Sequence, residues 1–210
     1  MTQPAQSAQA NAPKIRLFVD FWNYELAMKR ATTNFQTDWK KVGSHLANAA
    51  AQMIGVSGPI NYQGMNVYGS YNTKTGNDQP LKKWATTVLD TFPGVHVTFI
   101  ERQKKKSHPS CPTCHNEVPS CPSCSADMRG TEEKGVDTRM VTDMMSLAWA
   151  ANYDVAVLVS SDKDFVPVAE FLQTRGIKVI HGAFPPNGAV LTQKCWASID
   201  IPNERRHFQR

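Results

Sequence analysis

The sequence has little that would suit a membrane protein or an exported one. Nothing in its 210 residues approaches a run of roughly 18 apolar residues, the length needed to span a membrane. Residues 1–13 lack the charged start and the apolar stretch of a signal peptide. These absences predict a cytoplasmic protein with no membrane partner. Because the cytosol is reducing, the cysteines that occur in CxxC pairs are expected to bind metal rather than to form disulfides.

The composition that remains is that of a globular protein. Hydrophobic residues make up 41% of the chain and charged residues 20%, which allows one sizeable core and a small appendage. Lys and Arg outnumber Asp and Glu by 23 to 18, and the formal net charge of +5 favours a polyanionic partner. Residues 1–13, rich in Gln, Ala and Pro, are predicted to be a flexible leader because they carry little apolar surface to pack.

Short apolar strands alternate with helical periodicity along the chain. Strands are predicted at residues 15–19, 61–71, 95–100, 155–160 and 177–181. Helices are predicted at residues 38–53, 80–91, 136–151, 165–174 and 189–199. This alternation predicts an α/β fold with a mostly parallel sheet flanked by helices on both faces. A loop is expected to follow the first strand, and Cys195 is expected to be a small buried hydrophobe of the last helix.

The alternation stops between residues 101 and 134. Four cysteines, four prolines and a run of three lysines replace the periodic apolar positions there. We therefore predict one domain built from residues 14–100 and 135–200. The segment 101–134 would be an insertion in this domain, and residues 201–210 would form a basic tail.

Acidic side chains stand at three of the predicted strand exits or helix starts. Asp20 ends the first strand, and Asp137 opens the helix after the insertion. Asp162 and Asp164 follow the fourth strand. Each acid alone is explained as a helix cap, since Asp accepts hydrogen bonds from free N–H groups and favours the positive end of the helix dipole. Because the carboxyl ends of parallel strands bind ligands at one edge of the sheet, we expect the four acids to lie close together there.

Several carboxylates at one edge repel one another unless a cation lies between them. Mg²⁺ and Mn²⁺ prefer oxygen ligands and are typically held by a few carboxylates together with substrate phosphate. Such an ion activates water and stabilises the charge that develops during phosphodiester hydrolysis. Ser160 and Ser161 adjoin a helix N-terminus, where they either help to hold a phosphate through backbone N–H groups or simply cap the helix.

The residues at these positions resemble the NYN domain family. The segment FVDFWNY at residues 18–24 is similar to the first motif, in which an aspartate ends the first strand and an Asn follows three residues later. The segments KGVDTRMVTDMMSLA and YDVAVLVSSDKDFVPVAEFLQTRGIKV are similar to the rest of the LabA-like branch of this family, within the PIN-like nuclease superfamily. The resemblance covers residues 15–199 apart from the insertion.

The resemblance implies a metal-dependent ribonuclease on a PIN-like sheet. It implies that the principal metal-binding acids are Asp20, Asp137 and Asp162. Asp164 would be an additional metal-binding acid, and Asn23 would orient the site. Trp22 stands where the family more often has a small residue, and it either stacks on a base or packs against the next helix.

The insertion contains two CPxC segments with four thiols at Cys111, Cys114, Cys121 and Cys124. Four thiolates in tetrahedral geometry suit a structural Zn²⁺. A redox dithiol or an iron–sulfur site is the alternative. The lysines that precede them, Lys104, Lys105 and Lys106, either contact a nucleic-acid backbone or form a solvated surface.

The expected partner is nucleic acid, RNA by resemblance, and a homodimer is left open. The main alternative to the nuclease is a catalytically inactive NYN protein with an RNA-binding or regulatory role. A phosphatase of the haloacid-dehalogenase type would need a second Asp two residues after Asp20, where Trp22 stands. That residue argues against the phosphatase.

Overall fold

The computed structural model describes residues 12–73 and 78–210. Most of the predicted leader, residues 1–11, lies outside the described residues. Within these ranges, no helix is long and apolar enough to cross a membrane.

The predicted α/β fold is confirmed. The strands are β1 (Lys14–Asp20), β2 (Asn61–Tyr71), β3 (Val95–Glu101), β4 (Gln103–Lys104), β5 (Thr131–Glu132), β6 (Val155–Val159), β7 (Lys178–Ala183) and β8 (Ala197–Asp200). Six of these described strands form one sheet in the order β3-β2-β1-β6-β7-β8, and every pair in it is parallel. The central strands β1 and β6 are buried along almost their whole length, as expected for a parallel sheet covered on both faces.

Helices cover both faces of the sheet. They are α1 (Phe21–Ala31), α2 (Trp39–Met53), α3 (Asp78–Thr87), α4 (Val136–Trp149), α5 (Val166–Thr174), α6 (Ala189–Lys194) and α7 (Ile201–Glu204). One apolar cluster joins α1 and α2 to the strand face that carries Leu17 and Val157. A second cluster joins α4 and α5 to the opposite face, which carries Phe18 and Leu158. The alternation of side chains along β1 and β6 thus feeds both clusters.

The loop predicted after the first strand is wrong, because residues Phe21–Ala31 form α1. Asp20 caps this helix by accepting a hydrogen bond from the backbone N–H of Asn23. Phe21, Tyr24 and Met28 lie three and four residues apart and form its buried face. The helix is short and its other face is mixed, so the periodic signal is weak.

The predicted helix at residues 189–199 is also wrong in its second half. Helix α6 ends at Lys194, and β8 follows as the edge strand beside β7. The pairing begins where Trp196 N donates to Val179 O at 2.8 Å, so sheet hydrogen bonds take over from the helix. Cys195 lies between the two elements, half-buried against the second cluster, and this burial raises the pKa of its thiol to about 12.

The segment 201–210 is folded against the start of α2. Helix α7 leads into a 3₁₀ turn at Arg205–His207, and the next residue, Phe208, is fully buried. Asp38 N donates to Phe208 O at 2.8 Å, and Arg210 N donates to Gln36 O at 3.0 Å. The basic residues of this segment therefore stand on an ordered scaffold.

The insertion is attached to the domain by a short hairpin. Strands β4 and β5 pair in antiparallel fashion through Gln103–Glu132 and Lys104–Thr131. Between residues 101 and 135 no side chain is buried. The insertion therefore has no apolar core, in contrast to the domain that carries it.

Candidate active site

The sheet order places a change of chain direction beside β1. The chain runs from β1 through β2 to β3, returns to β6 on the other side of β1, and continues through β7 to β8. Open parallel sheets bind ligands at such a switch point, outside the carboxyl ends of the strands. Asp20 ends β1 at this point, and Asp162 follows β6.

The same strands direct the site toward one face of the sheet. Phe18 and Leu158 belong to the second cluster, so Asp20 and Ser160, two residues further on, point to the same face. Helix α4 packs on that cluster and carries Asp137 in its first turn. The fold thereby gathers acids from three separate segments.

Asp20 is the most buried of these acids, with 8% of its surface exposed. Its Oδ1 accepts from Asn23 N at 3.1 Å, and its Oδ2 accepts from the Asn23 side-chain amide. The Ser160 hydroxyl also donates to Oδ2, at 3.2 Å. Burial raises the pKa of Asp20, and these hydrogen bonds oppose that shift without cancelling it.

Asn23 and Ser160 connect Asp20 to the loop that carries Asp162. Asn23 Oδ1 accepts from Ser161 N at 3.2 Å, and Asp162 N donates to Ser160 Oγ at 3.1 Å. Asp162 in turn caps the next 3₁₀ turn, because its Oδ1 accepts from Asp164 N at 2.9 Å. Six of the predicted site residues are thus joined by hydrogen bonds, with Asp164 at the exposed end: Asp20, Asn23, Ser160, Ser161, Asp162 and Asp164.

Ser160 lies where it orients protein groups rather than a phosphate. It is fully buried, and its hydroxyl is engaged with Asp20 and Asp162. Its carbonyl accepts from Nε2 of His181 at 2.6 Å. His181 is itself fully buried, and burial lowers the pKa of its imidazole, which favours the neutral ring. Sequence reasoning missed His181 because no local pattern marks a functional histidine within a buried strand.

The acids are close enough to perturb one another. The pKa of Asp137 is raised to about 6, first by partial burial and then by repulsion from four other carboxylates. Those carboxylates belong to Asp20, Asp162, Glu133 and Asp164. We call these five acids the acid cluster. It concentrates negative charge at this edge of the sheet.

Glu133 is the member that sequence reasoning missed. It follows β5 at the end of the insertion, within a charged run that has the appearance of a solvated surface. Its Oε2 accepts from the hydroxyl of buried Ser70, and Arg102 Nη2 lies 3.6 Å from the same oxygen. Arg102 Nε also donates to Ser70 Oγ at 2.8 Å. Both ends of the insertion, Arg102 and Glu133, therefore meet at Ser70.

Trp22 packs beside this contact. Its Nε1 donates to Ser70 O at 2.8 Å, and the Arg102 guanidinium lies 5.7 Å from the centre of its ring. The side chain is half-buried. The interpretation of Trp22 as a packing residue therefore has specific contacts behind it.

The donor set of the acid cluster fits a hard divalent cation. All five side chains offer carboxylate oxygens, and the raised pKa values of Asp20 and Asp137 mark charge that a cation would relieve. Across the described ranges, three potential ligand atoms lie within 4.8 Å of one another only at His45, Glu204 and His207. The acid cluster as it stands is therefore more open than a closed set of ligands, and an ion bound there would keep several waters, as is usual for Mg²⁺.

Two shallow cavities lie beside Asn23 and Ser161, at the Asp162 end of the acid cluster. One, of about 400 Å³, is lined by Trp22, Asn23 and Arg30 among others, and a second, of about 440 Å³, includes Asp162 and Lys163. They share Asn23, Ser161 and Gly188. At Gly188 φ is +76°, and a Cβ there would stand 3.1 Å from both Ser161 Cα and His181 Cε1. A glycine at this position keeps the groove open beside the acids.

The predicted lysines differ in their surroundings. Lys104 Nζ lies 2.6 Å from Asp127 Oδ2 inside the insertion, where Arg129 binds the same carboxylate. Hydrogen bonds from Arg129 and Lys104 hold the pKa of Asp127 well below its usual range. The side chains of Lys105 and Lys106 are exposed. Of the three, Lys104 has the clearest role within the insertion.

The two CPxC segments form two turns with the same backbone pattern. Cys111 N donates to Asn116 O and His115 N to Cys111 O, each at 2.9 Å. The equivalent bonds ten residues later, Cys121 N to Ala126 O and Ser125 N to Cys121 O, are each 2.8 Å. The two turns are thus structural repeats.

In each turn the pKa of the first thiol is lowered. Backbone N–H groups of Cys114 and Thr113 lower the pKa of Cys111, and those of Ser123 and Cys124 lower the pKa of Cys121. A thiolate is the form that binds a metal, so the turns fit the predicted zinc ligands. Over the described residues the sulfur atoms do not meet as a set of three within 4.8 Å.

Comparison with known proteins gave one family and a structural likeness. The sequence profile of the NYN domain matches residues 14–201. The fold is similar to the crystal structure of a protein of unknown function from Vibrio parahaemolyticus, with a TM-score of 0.52 and 17% sequence identity over 98% of this chain and 99% of that one. At this identity the likeness concerns the fold. No curated protein matched the sequence.

Proposed function

The chain belongs to the NYN domain family, a branch of the PIN-like nuclease superfamily, and from this premise we propose that it is a metal-dependent ribonuclease. The reaction is hydrolysis of a phosphodiester, in which water adds to phosphorus and the bond to one ester oxygen breaks. The products are a phosphate monoester and a hydroxyl end. The observation that carries the proposal is the acid cluster at the switch point of the sheet, with the pKa of Asp137 raised to about 6.

The residues of the cluster divide the work between them. Asp20, Asp137 and Asp162 hold Mg²⁺ or Mn²⁺, with Asp164 as an additional ligand at the open side. The ion supplies an activated water and neutralises charge on the phosphate when it is bound. Asn23 and Ser160 hold the Asp20 carboxylate in place, since both donate to its Oδ2. His181 holds the backbone of Ser160 in place through the hydrogen bond to its carbonyl oxygen.

The substrate lies along the groove beside these acids. Arg30 and Lys163 line its two cavities and offer positive charge to the phosphates. Ser161 borders both cavities, so its backbone is the nearer of the two serines to a bound phosphate. Lys105 and Lys106 extend the positive surface onto the insertion. RNA, rather than DNA, follows from the resemblance of the motifs to NYN domains.

We further propose that Cys111, Cys114, Cys121 and Cys124 share one structural Zn²⁺. Two observations support it: the lowered pKa of the first thiol in each turn, and the absence of any buried side chain between residues 101 and 135. A unit without an apolar core needs another source of folding free energy, and metal binding supplies it.

The decisive experiment is a cleavage assay on single-stranded RNA, structured RNA and DNA, with Mg²⁺, with Mn²⁺ and with neither. The variant Asp162→Asn should cut RNA at a rate lower by on the order of 100-fold or more. The substitution replaces a charged carboxylate oxygen by an amide nitrogen, so the ion that stabilises the transition state is bound less well. The variant should still bind RNA. Asn is as good a helix cap as Asp, so the local fold should survive.

Asp143→Asn is the matched control. Asp143 lies on the same helix as Asp137 but pairs with Arg139 and with the Tyr68 hydroxyl instead of facing the cluster. This variant should cut RNA at the wild-type rate. Cleavage retained in Asp162→Asn contradicts the site assignment, and RNA binding without cleavage in the wild type under every metal condition favours the inactive RNA-binding alternative.

A further inference from the structure

A second group of metal-ligating side chains lies where α2 meets the C-terminal segment. His45 Nε2 is 2.7 Å from Glu204 Oε2, and His207 Nε2 is 3.8 Å from the same oxygen. In the described part of the chain these three residues form the one set whose ligand atoms all lie within 4.8 Å of one another. Helix α2 packs on the first apolar cluster, so the set belongs to the face of the sheet opposite the acid cluster.

The two imidazoles of the set lie side by side, next to one carboxylate. Their rings stack with centres 4.4 Å apart and planes 15° from parallel. This stacking brings both Nε2 atoms toward one carboxylate oxygen. Two imidazole nitrogens and one carboxylate form a donor set that suits Zn²⁺ and neighbouring transition metals rather than Mg²⁺.

We propose that His45, Glu204 and His207 bind one Zn²⁺ ion and thereby fasten residues 204–210 to α2. Their side chains are 23%, 35% and 60% exposed, so an ion can enter and water can complete its coordination. The ion would join positions 159 residues apart. Because the unfolded chain does not present these ligands together, binding would stabilise the folded state.

The surrounding contacts explain what such a clip would hold. Phe208 follows His207 directly, is fully buried, and packs with its ring 5.8 Å from that of His45. Its carbonyl accepts from Asp38 N, and Arg210 N donates to Gln36 O. The ion would therefore lie beside Phe208, the one fully buried side chain of residues 204–210, and would stabilise its packing against α2.

The test is to count bound Zn²⁺ in the full-length protein after dialysis against Zn²⁺, for the wild type, His207→Gln, Glu204→Gln and His96→Gln. His96 is an exposed histidine on β3 outside the set, so His96→Gln is the control. The wild type and the control should retain one more equivalent of Zn²⁺ than the other two variants. This difference does not depend on how many ions the cysteines hold.

Hydrogen exchange of residues 205–210 gives the second readout. Added Zn²⁺ should slow exchange there in the wild type and in His96→Gln, and leave it unchanged in His207→Gln and Glu204→Gln. His207 is mostly exposed and Glu204→Gln can keep the hydrogen bond to His45, so both variants should fold. Equal Zn²⁺ counts and equal protection in all four proteins would show a simple ion pair and overturn the proposal.

Discussion

The domain and its insertion reach order by opposite means. The domain builds two apolar clusters on the faces of a parallel sheet, and against them it can hold a carboxylate as buried as Asp20. The insertion buries no side chain between residues 101 and 135 and relies on two repeated turns and a few ion pairs. In the domain, the buried carboxylate of Asp20 lowers stability. In the insertion, thiolates bound to a metal ion would be the main source of stability.

This difference teaches where each region should be vulnerable. If the proposed ions bind, the acid cluster should survive loss of its ion, because the apolar clusters keep the backbone in place. The insertion, which has no apolar core, should lose its structure with its ion. Ser70 is the exception that connects the two, since Arg102 and Glu133 from both ends of the insertion contact it.

Removal of zinc should give the largest contrast between the two regions. Cys121→Ser should lose the zinc of the insertion and should exchange the amides of residues 110–128 at rates near those of an unfolded chain, because these amides have no buried cover. Strands β1 and β6 should keep their protection. Hydrogen exchange by mass spectrometry measures both regions at once.

Cys195→Ser is the control for this experiment. Cys195 is half-buried in the domain, far along the chain from the turns. Its substitution should leave zinc content and insertion protection unchanged. An insertion that stays protected in Cys121→Ser, with zinc absent, contradicts the zinc assignment.

Glu133→Gln should break the connection between the regions with a smaller effect. The variant removes the one acid that the insertion adds to the cluster, so Mg²⁺ affinity should fall by about tenfold, as for groups just outside a metal's own ligands. The Mg²⁺ concentration for half-maximal cleavage measures this shift. Glu132→Gln is the matched control, because Glu132 pairs with Lys134. An equal shift in both variants would mean that general surface charge, not Glu133, is responsible.

The pH dependence of stability should be the smallest effect and should belong to the domain alone. The pKa of Asp137 is raised from 3.8 to about 6, so the folded protein binds its proton more tightly than the unfolded chain does. Without metal, the free energy of unfolding should therefore fall as the pH rises from about 4 to about 6 and stay low above that range. Added Mg²⁺ should restore stability more at about pH 7.5 than at about pH 5.

Thermal melts with and without Mg²⁺ at several pH values measure this dependence. In Asp137→Asn the metal-free protein should lose most of the fall in stability, because the titrating group is gone. A wild-type protein whose metal-free stability rises over the same pH range would show that other groups outweigh Asp137.

The sequence predicts the sheet well because buried parallel strands are short, apolar and separated by helical periods. It also predicts Asp20 and Asp162, since residues that follow such strands must meet at one edge. The sequence is a poorer guide where a segment can form either helix or sheet hydrogen bonds. Residues 195–199 have apolar spacing that suits a helix. The edge of β7, however, has unpaired backbone groups, and residues 197–200 form sheet hydrogen bonds with them instead.

Glu133 and His181 could not be predicted from their neighbours in the sequence. Glu133 reaches the cluster only because the β4–β5 hairpin brings the end of the insertion back to Ser70. His181 is placed by the register of β7, which sets its ring beside the Ser160 carbonyl. Both positions depend on contacts between segments distant in the chain, and no local pattern encodes them.

The hairpin at the base of the insertion has a practical consequence for redesign. Because β4 and β5 clamp its two ends side by side, the chain between them can be exchanged for another module without moving the sheet, and longer replacements add little closure entropy. A graft that keeps Arg102 and Glu133 should keep the acid cluster intact while giving the NYN domain a different binding module. A ligand-responsive module grafted at the same junction would be coupled to the acid cluster through the Glu133 carboxylate.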